Sequence, residues 1–203
     1  MVDDELDPDP TVQLRRWWDE AEVDGVVLPE AMALATATAD GQPSVRFVLL
    51  RGLDGRGLVF YTNHHSRKGR ELAENPRASV VLAWHQAGRQ VRVDGRVEVV
   101  AEDESDAYFA SRDRGSQLSA WASPQSEVVA GRAELDRRRA EQEVCWGDGP
   151  VARPPHWGGF RLVPEGVEFW QQRASRYHDR FVYRRPTEAE VDVGPWVIER
   201  LAP

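Results

Sequence analysis

The stretch ASVVLAWHQAGRQVRVDGRVEVV, residues 78–100, decides the fold class. Two runs rich in β-branched residues, 78–84 and 90–100, flank a short polar segment, and Val91 and Val93 alternate with polar neighbours. That period of two puts successive side chains on opposite faces of a strand. Working outward, 31–38, 44–51 and 57–63 read the same way, with Asp40-Gly41 and Asp54-Gly55 as turn signals between them. Near the C-terminus, 157–164, 166–172, 180–185 and 196–203 add further strands. The pattern is a series of antiparallel hairpins and not a βαβ alternation.

Helical spacing is confined to the intervals. Val12, Leu14, Trp17, Trp18 and Ala21 predict an amphipathic helix over 11–24. Ser66 is placed to cap a helix that ends before Pro76, 103–112 reads as another, and 126–144 reads as a third beginning at a Ser126 cap. Residues 146–159, rich in Gly and Pro, read as a loop. The expected fold is mainly β with α additions, a β-barrel in a single domain over 11–203, preceded by a mobile 1–10. Trp84, Trp121, Trp157 and Trp170 lie in or beside apolar segments and are assigned mostly to the core.

Composition narrows the function classes. With 34 acidic against 26 basic residues the net charge is -8, so the chain has no global attraction for nucleic acid or anionic membrane. No apolar run approaches the roughly 20 residues of a membrane span. Cys145 is the only cysteine, which excludes an internal disulfide, and the acidic start lacks the order of a signal peptide. A cytoplasmic protein is expected. Zinc-type Cys/His spacing, a G-x-S-x-G elbow, a Walker loop and a dinucleotide glycine pattern are all missing from the sequence, so no metal is expected and hydrolase and kinase readings lose support.

Against that acidic background, local cationic clusters stand out. Arg67 and Lys68 fall in the first turn of the helix capped by Ser66, where positive side chains oppose the helix dipole unless an anion sits there. A solvated basic turn fits the same pattern. Arg46 and Arg51 bracket an apolar strand, and Gln90 needs a partner if its strand is buried. Tyr108 and Arg112 stand four apart on a helix expected to end at Gly115, with Ser116 four further on. A phenol, a guanidinium and a hydroxyl together grip a phosphate; an ordinary amphipathic helix is the alternative. In WQQRASRYHDR, residues 170–180, a strand would put Arg176, His178 and Arg180 on one face. The number of clusters suggests two anionic groups, a phosphorylated cofactor and a phosphorylated substrate.

Taken in order, RFVLLR, FYTNHHSRKGREL, NPRAS, RQVRVDGRVE, YFASRDRGSQLSAWASPQS, PPHWGGFRLVP, EFWQ and RYHDRFVYRR closely resemble the pyridoxine/pyridoxamine 5'-phosphate oxidase family over about residues 12–203. The resemblance implies an FMN-binding split β-barrel homodimer, with FMN at the subunit interface and molecular oxygen as oxidant. It assigns FMN to Arg46, Phe47, Val48, Leu49, Leu50 and Arg51 of one strand. To these it adds Tyr61, Thr62, Arg67, Lys68 and Gln90, then Gln125, Ser126, Trp170 and Arg180. Tyr108, Arg112 and Ser116, with Arg51, match the grip on the substrate phosphate, and Arg176 and His178 match the catalytic pair over the pyridine ring.

The activity so implied is oxidation of pyridoxamine or pyridoxine 5'-phosphate to pyridoxal 5'-phosphate, with release of hydrogen peroxide. The alternatives are a phenazine-biosynthesis type FMN oxidase acting on a dihydro-aromatic carboxylate, and a non-catalytic flavin or heme binding split barrel. Three departures from the family pattern bear on substrate: Arg51 in place of lysine, Leu28 in place of an acid, and Gln171-Gln172 in place of Gln-Gly. The chain is also expected to start after a basic, tyrosine-containing segment of the family's oxidases.

Overall fold

In the computed structural model, which describes residues 6–190 and 194–203, alternation along the strands builds a barrel. In β1 (Ala31–Ala37), Met32, Leu34 and Thr36 turn inward, and Met32 and Leu34 are fully buried. β2 (Pro43–Leu49) pairs with β1, and on the other side of β1 lie β5 (Arg77–Trp84) and then β6 (Arg89–Val99). Val80, Leu82, Val91 and Val93 from β5 and β6 have no exposed surface. Each such side chain contributes about 1.5 to 3 kcal/mol on burial.

The next strand, β7 (Trp157–Gln171), is 15 residues long and organises the rest. It runs antiparallel to β6 from Phe160 to Gln171, while its first half pairs with β4 (Gly57–Asn63) and its second half with β8 (Asp179–Arg184). Pro164, which has no N–H to donate, marks the change of partner, and β7 carries one extra residue there, Glu165, where the register with Asp94/Gly95 of β6 shifts. A Cβ on Gly95 would lie 2.0 Å from the Val163 carbonyl oxygen, so only glycine lets the strands approach there.

β3 (Gly52–Asp54) extends the sheet beyond β4. Since β3 follows β2 after two residues, and the Arg51 N–H donates to Val59 O at 2.8 Å, the chain itself joins the two ends of the order β2-β1-β5-β6-β7-β4-β3. The barrel is thereby closed, and β8 with β9 (Val197–Arg200) forms an arm off its seam. Two strands expected at 157–164 and 166–172 are thus one continuous β7.

Five helices lie among the described residues. α1 (Pro10–Val23) starts on an Asp9 cap that accepts from Thr11 N–H at 2.7 Å and buries Leu14, Trp17 and Ala21, with Trp17 edge-on to Phe169. Of the N-terminal stretch, residues 1–5 lie outside the described residues, whereas the Asp7 carbonyl accepts from Tyr183 Oη–H at 2.8 Å. α2 (Arg67–Glu74) begins on Ser66, as the sequence predicts. No helix among the described residues is long and apolar enough to cross a membrane.

Three local expectations are corrected. The helix over 103–112 is α3 (Glu102–Ser111), and it ends at Arg112 because the Asp113 carboxylate caps a new helix, α4 (Arg114–Ala122), by accepting from Ser116 N–H at 2.8 Å. Gly115 therefore opens a helix and does not close one. α5 (Arg132–Trp146) starts six residues after Ser126, which takes a left-handed backbone (φ 73); Glu134 instead accepts from Ala130 N–H at 2.8 Å and fixes the start there. Arg176, His178 and Arg180 do not share a strand face. β8 begins only at Asp179, because the Arg173 N–H donates to His178 Nδ1 (3.1 Å) and Arg173 pairs with Asp179, closing a turn.

The approach of α2 to the barrel rests on Gly69, whose Cβ would stand 2.1 Å from the His64 carbonyl oxygen. Gly69→Ala gains helix propensity but forces backbone apart, and we expect a net loss of about 1 to 3 kcal/mol. Urea unfolding measures it; a wild-type midpoint would show that the helix start is free to move.

Candidate functional site

Between β2, β4, α2 and the α3–α4 break lies an open cleft of about 810 Å³. Arg46, Phe47, Val48, Leu49 and Arg51 line it from the β2 side, and Tyr61, Thr62 and Lys68 from β4 and α2. Tyr108, Arg112, Ser116 and Gln125 complete it. Leu50 does not line it: just past the end of β2, its side chain is 1% exposed and packs in the hydrophobic core. Ser126 is exposed and does not line the cleft.

Two ends of the cleft ask for negative charge. At one, Lys68 is 7% exposed, and its Nζ donates to Thr62 Oγ1 (2.9 Å), Gln125 Oε1 (3.2 Å) and Ser66 Oγ (3.3 Å). Every partner is a neutral oxygen. Burial, with the nearby Arg46 adding to it, lowers its pKa from the ordinary 10.5 to about 8. A buried ammonium without a counter-charge is costly, and a bound anion relieves that cost.

Beside Lys68 a second feature orders the arginines. Glu71, 3% exposed, accepts from Arg67 Nε (2.8 Å), Arg46 Nη2 (3.2 Å) and Ser44 Oγ (2.6 Å), and also from Thr36 Oγ1. Burial raises its pKa, but the hydrogen bonds from Ser44, Thr36 and Arg67 and the Arg46 charge outweigh that and hold it down at about 2. Arg67 stays at the rim, half exposed.

At the other end Arg112 lies over Trp157, 4.6 Å from the ring centroid, and its buried Nη1 has no hydrogen-bond partner among the described residues. The helix break at Arg112 is what turns this guanidinium into the cleft. Tyr61 and Tyr108 stack at 3.9 Å, and both lie nearly parallel to Trp157. A buried donor left open costs about 1 to 3 kcal/mol, so Arg112 is poised for an acceptor. Trp157 is in a core cluster, as the sequence predicts, and also borders the cleft, a second role that sequence reasoning does not reveal, as it does not reveal Glu71. Their signals were present, an acid one helical turn from Arg67 and an aromatic after a Pro-rich loop, but neither is distinctive alone.

The remaining candidates stand elsewhere. Gln90 lies opposite Trp170, and Trp170 opposite Arg180, at the far end of β7. Arg180 pairs with the buried Glu168 at 2.8 Å, His178 packs its ring 4.5 Å from that of Trp170, and Arg176 is exposed in a turn with φ 60. From Gly158, opposite Thr62, to Trp170 is twelve residues, roughly 40 Å along the strand. One chain therefore carries two separate half-sets of the expected residues.

Residues 19–143 match the family model described as Pyridoxamine 5'-phosphate oxidase, and residues 157–203 match the Pyridoxine 5'-phosphate oxidase C-terminal dimerisation region. The chain belongs to the pyridoxamine 5'-phosphate oxidase family. A relative from Cupriavidus necator named pyridoxine/pyridoxamine 5'-phosphate oxidase is 53% identical over 203 residues, covering 100% of this chain and 93% of that protein. The crystal structure of PhzG from Burkholderia lata 383 in complex with tetrahydrophenazine-1-carboxylic acid is 36% identical with TM-score 0.90, covering 98% of this chain and 95% of that one. A pyridoxamine 5'-phosphate oxidase-related, FMN binding protein from Nostoc punctiforme shares the fold at 18% identity and TM-score 0.75, covering 98% and 100%. The family and the architecture expected from the motifs, a split β-barrel of the FMN-binding type, are thereby established.

The Lys68 environment yields a stability test. Its folded pKa lies below the unfolded one, so between about 8 and 10.5 the folded state binds fewer protons and ligand-free stability from this group rises with pH. Lys68→Met should therefore be more stable than wild type at pH 7, with the advantage shrinking by pH 9.5. Urea unfolding at both pH values checks this; a pH-independent difference would mean that the ammonium is not buried without compensation.

Proposed function

We propose that this protein is an FMN-dependent oxidase that converts pyridoxamine or pyridoxine 5'-phosphate to pyridoxal 5'-phosphate, with molecular oxygen as acceptor and hydrogen peroxide as product. The observation that carries the reading is one cleft with two anion-demanding ends: buried Lys68 with only neutral partners, and Arg112 with an unpartnered Nη1. A phosphorylated cofactor and a phosphorylated substrate meet both demands. The names of relatives at 53% identity over the full chain point the same way.

In this reading Lys68 and Arg67, with Arg46 behind them, hold the FMN phosphate, and Thr62 and Gln125 orient Lys68. Tyr108, Arg112 and Ser116, with Arg51, grip the substrate phosphate. The stack of Tyr61, Tyr108 and Trp157 fixes the distance between the two ends. FMN supplies the acceptor for the two electrons lost by the substrate carbon and passes them to oxygen. The protein supplies positioning and charge stabilisation.

The second half-set, Gln90, Trp170, Arg176, His178 and Arg180, reaches the same cleft from a partner protomer in a homodimer. The distance along β7 and the match to a dimerisation region support this. So do Val45 and Phe47, which are 69% and 76% exposed on β2 and present an apolar face beside the cleft. Arg176 and His178 then orient the amine or alcohol of the substrate. His178 Nδ1 already accepts from Arg173 N–H, so its Nε2 is the atom available to the reacting group.

Peroxide release with each phosphate tests the activity. Turnover with a dihydrophenazine carboxylate and none with either phosphate would transfer the protein to the phenazine type. Arg112→Ala should lose about 10- to 100-fold in kcat/KM for the phosphorylated substrate, the worth of a charge-assisted contact, while flavin content stays normal. Arg176→Ala should likewise keep flavin and lose turnover. If either variant lost flavin in proportion to activity, the division of the cleft would be wrong.

A further inference from the structure

Glu71 is an acid where an anion site ought to avoid one. It is almost fully buried on α2, one turn from Arg67 and Lys68, yet it makes four contacts on three elements. The β1–β2 register sets Thr36 opposite Ser44 and Leu34 opposite Arg46, so these groups face α2 together. Arg46 gives its Nη1 to Leu34 O (3.1 Å) and Thr36 Oγ1 (2.5 Å), and its Nη2 to Glu71 and Ser44 Oγ. Only Nε–H remains for a ligand. Arg67 gives Nε to Glu71 Oε1 and, among the described residues, its two Nη groups have no acceptor.

We propose that Glu71 is the positioning residue of the phosphate cradle, a buried carboxylate that fixes the Arg46 and Arg67 guanidinium groups so that their remaining donors and Lys68 converge. This rests on the reading of that cradle as the FMN phosphate site. Two physical consequences set it apart from a simple core contact. Three cations against one carboxylate leave two positive charges, which matches a phosphate monoester dianion, and the carboxylate held between the two arginines offsets part of their mutual repulsion when the site is empty. The guanidinium groups also lose their rotamer freedom to Glu71 before the ligand arrives, and not at its expense.

The discriminating measurement compares FMN with riboflavin, which has the same ring and no phosphate, by quenching of flavin fluorescence on the full-length apoprotein. Glu71→Gln should weaken FMN about ten-fold or more and riboflavin less than about two-fold. Ser44→Ala, which loosens Glu71 and keeps its charge, should show a smaller loss of the same selectivity, and it carries the test if Glu71→Gln does not fold. Equal weakening of both flavins would reduce Glu71 to a structural residue and overturn the proposal. Tighter FMN binding by Glu71→Gln would overturn it too, because the carboxylate would then act by repelling the phosphate. Wild-type apoprotein that binds FMN no better than riboflavin would instead remove the phosphate reading itself, whatever Glu71 does.

Discussion

Everything in this fold hangs on β7, a 15-residue strand that no single partner could satisfy. A long strand buried on both edges needs a hydrogen-bonding neighbour along every residue, and β7 finds β6 on one edge and two successive partners, β4 and β8, on the other. The change of partner falls around Pro164, which cannot donate, and the close approach of β6 there needs Gly95, where any side chain would strike the Val163 carbonyl. Splitting the sheet there lets one half close into a barrel through the β2-to-β3 crossing while the other half leaves as an arm. Each half carries part of the functional equipment: Tyr61 and Thr62 beside the first, Trp170 and Arg180 on the second.

Much of this was legible in the sequence because strands carry a strong signal. In β6 Val91 and Val93 alternate with polar residues, in β5 Val80 and Leu82 alternate with less buried ones, and these inward members are the fully buried ones. Ser66 was readable as a cap because its hydroxyl has one local role, and the structure uses it so. The misreadings share one cause, competition among short-range polar groups that periodicity does not weigh. Asp113 can stay in the preceding helix or cap the next one, and capping wins, which moves the break from Gly115 to Arg112. Ser126 looked like a cap of the same kind as Ser66, but Glu134 fixes the helix start further on. His178 folds back onto Arg173 N–H, so a turn replaces the start of a strand. Leu50 is absent from the cleft lining for a plainer reason, since an apolar run does not say which of its members packs into the core.

The site was legible as a set of cations and not as an arrangement. Arg67 and Lys68 are adjacent in sequence yet do different things: Lys68 goes inward to neutral oxygens, whereas Arg67 stays at the rim against Glu71. Adjacent helical residues diverge by about 100°, so two like charges in one turn do not point to one place. What makes a common target for them is the carboxylate one turn later, and an acid inside a basic motif reads as ordinary helix surface until its burial is known.

Electrostatic balance also explains how so acidic a chain can concentrate positive charge. Most arginines among the described residues are spent in pairs on the surface, as along α5, where Arg132, Arg137, Arg138 and Arg139 each meet an acid four residues away. Such exposed pairs add little stability, but they leave the surface without a competing field. Among the described residues, two buried cationic groups without an acidic partner, the Lys68 ammonium and the Arg112 Nη1, both face one cleft. In a chain of net charge -8, this local pair of buried cations is what gives an anion a reason to enter the cleft, whereas the acidic whole offers an extended polyanion no general attraction.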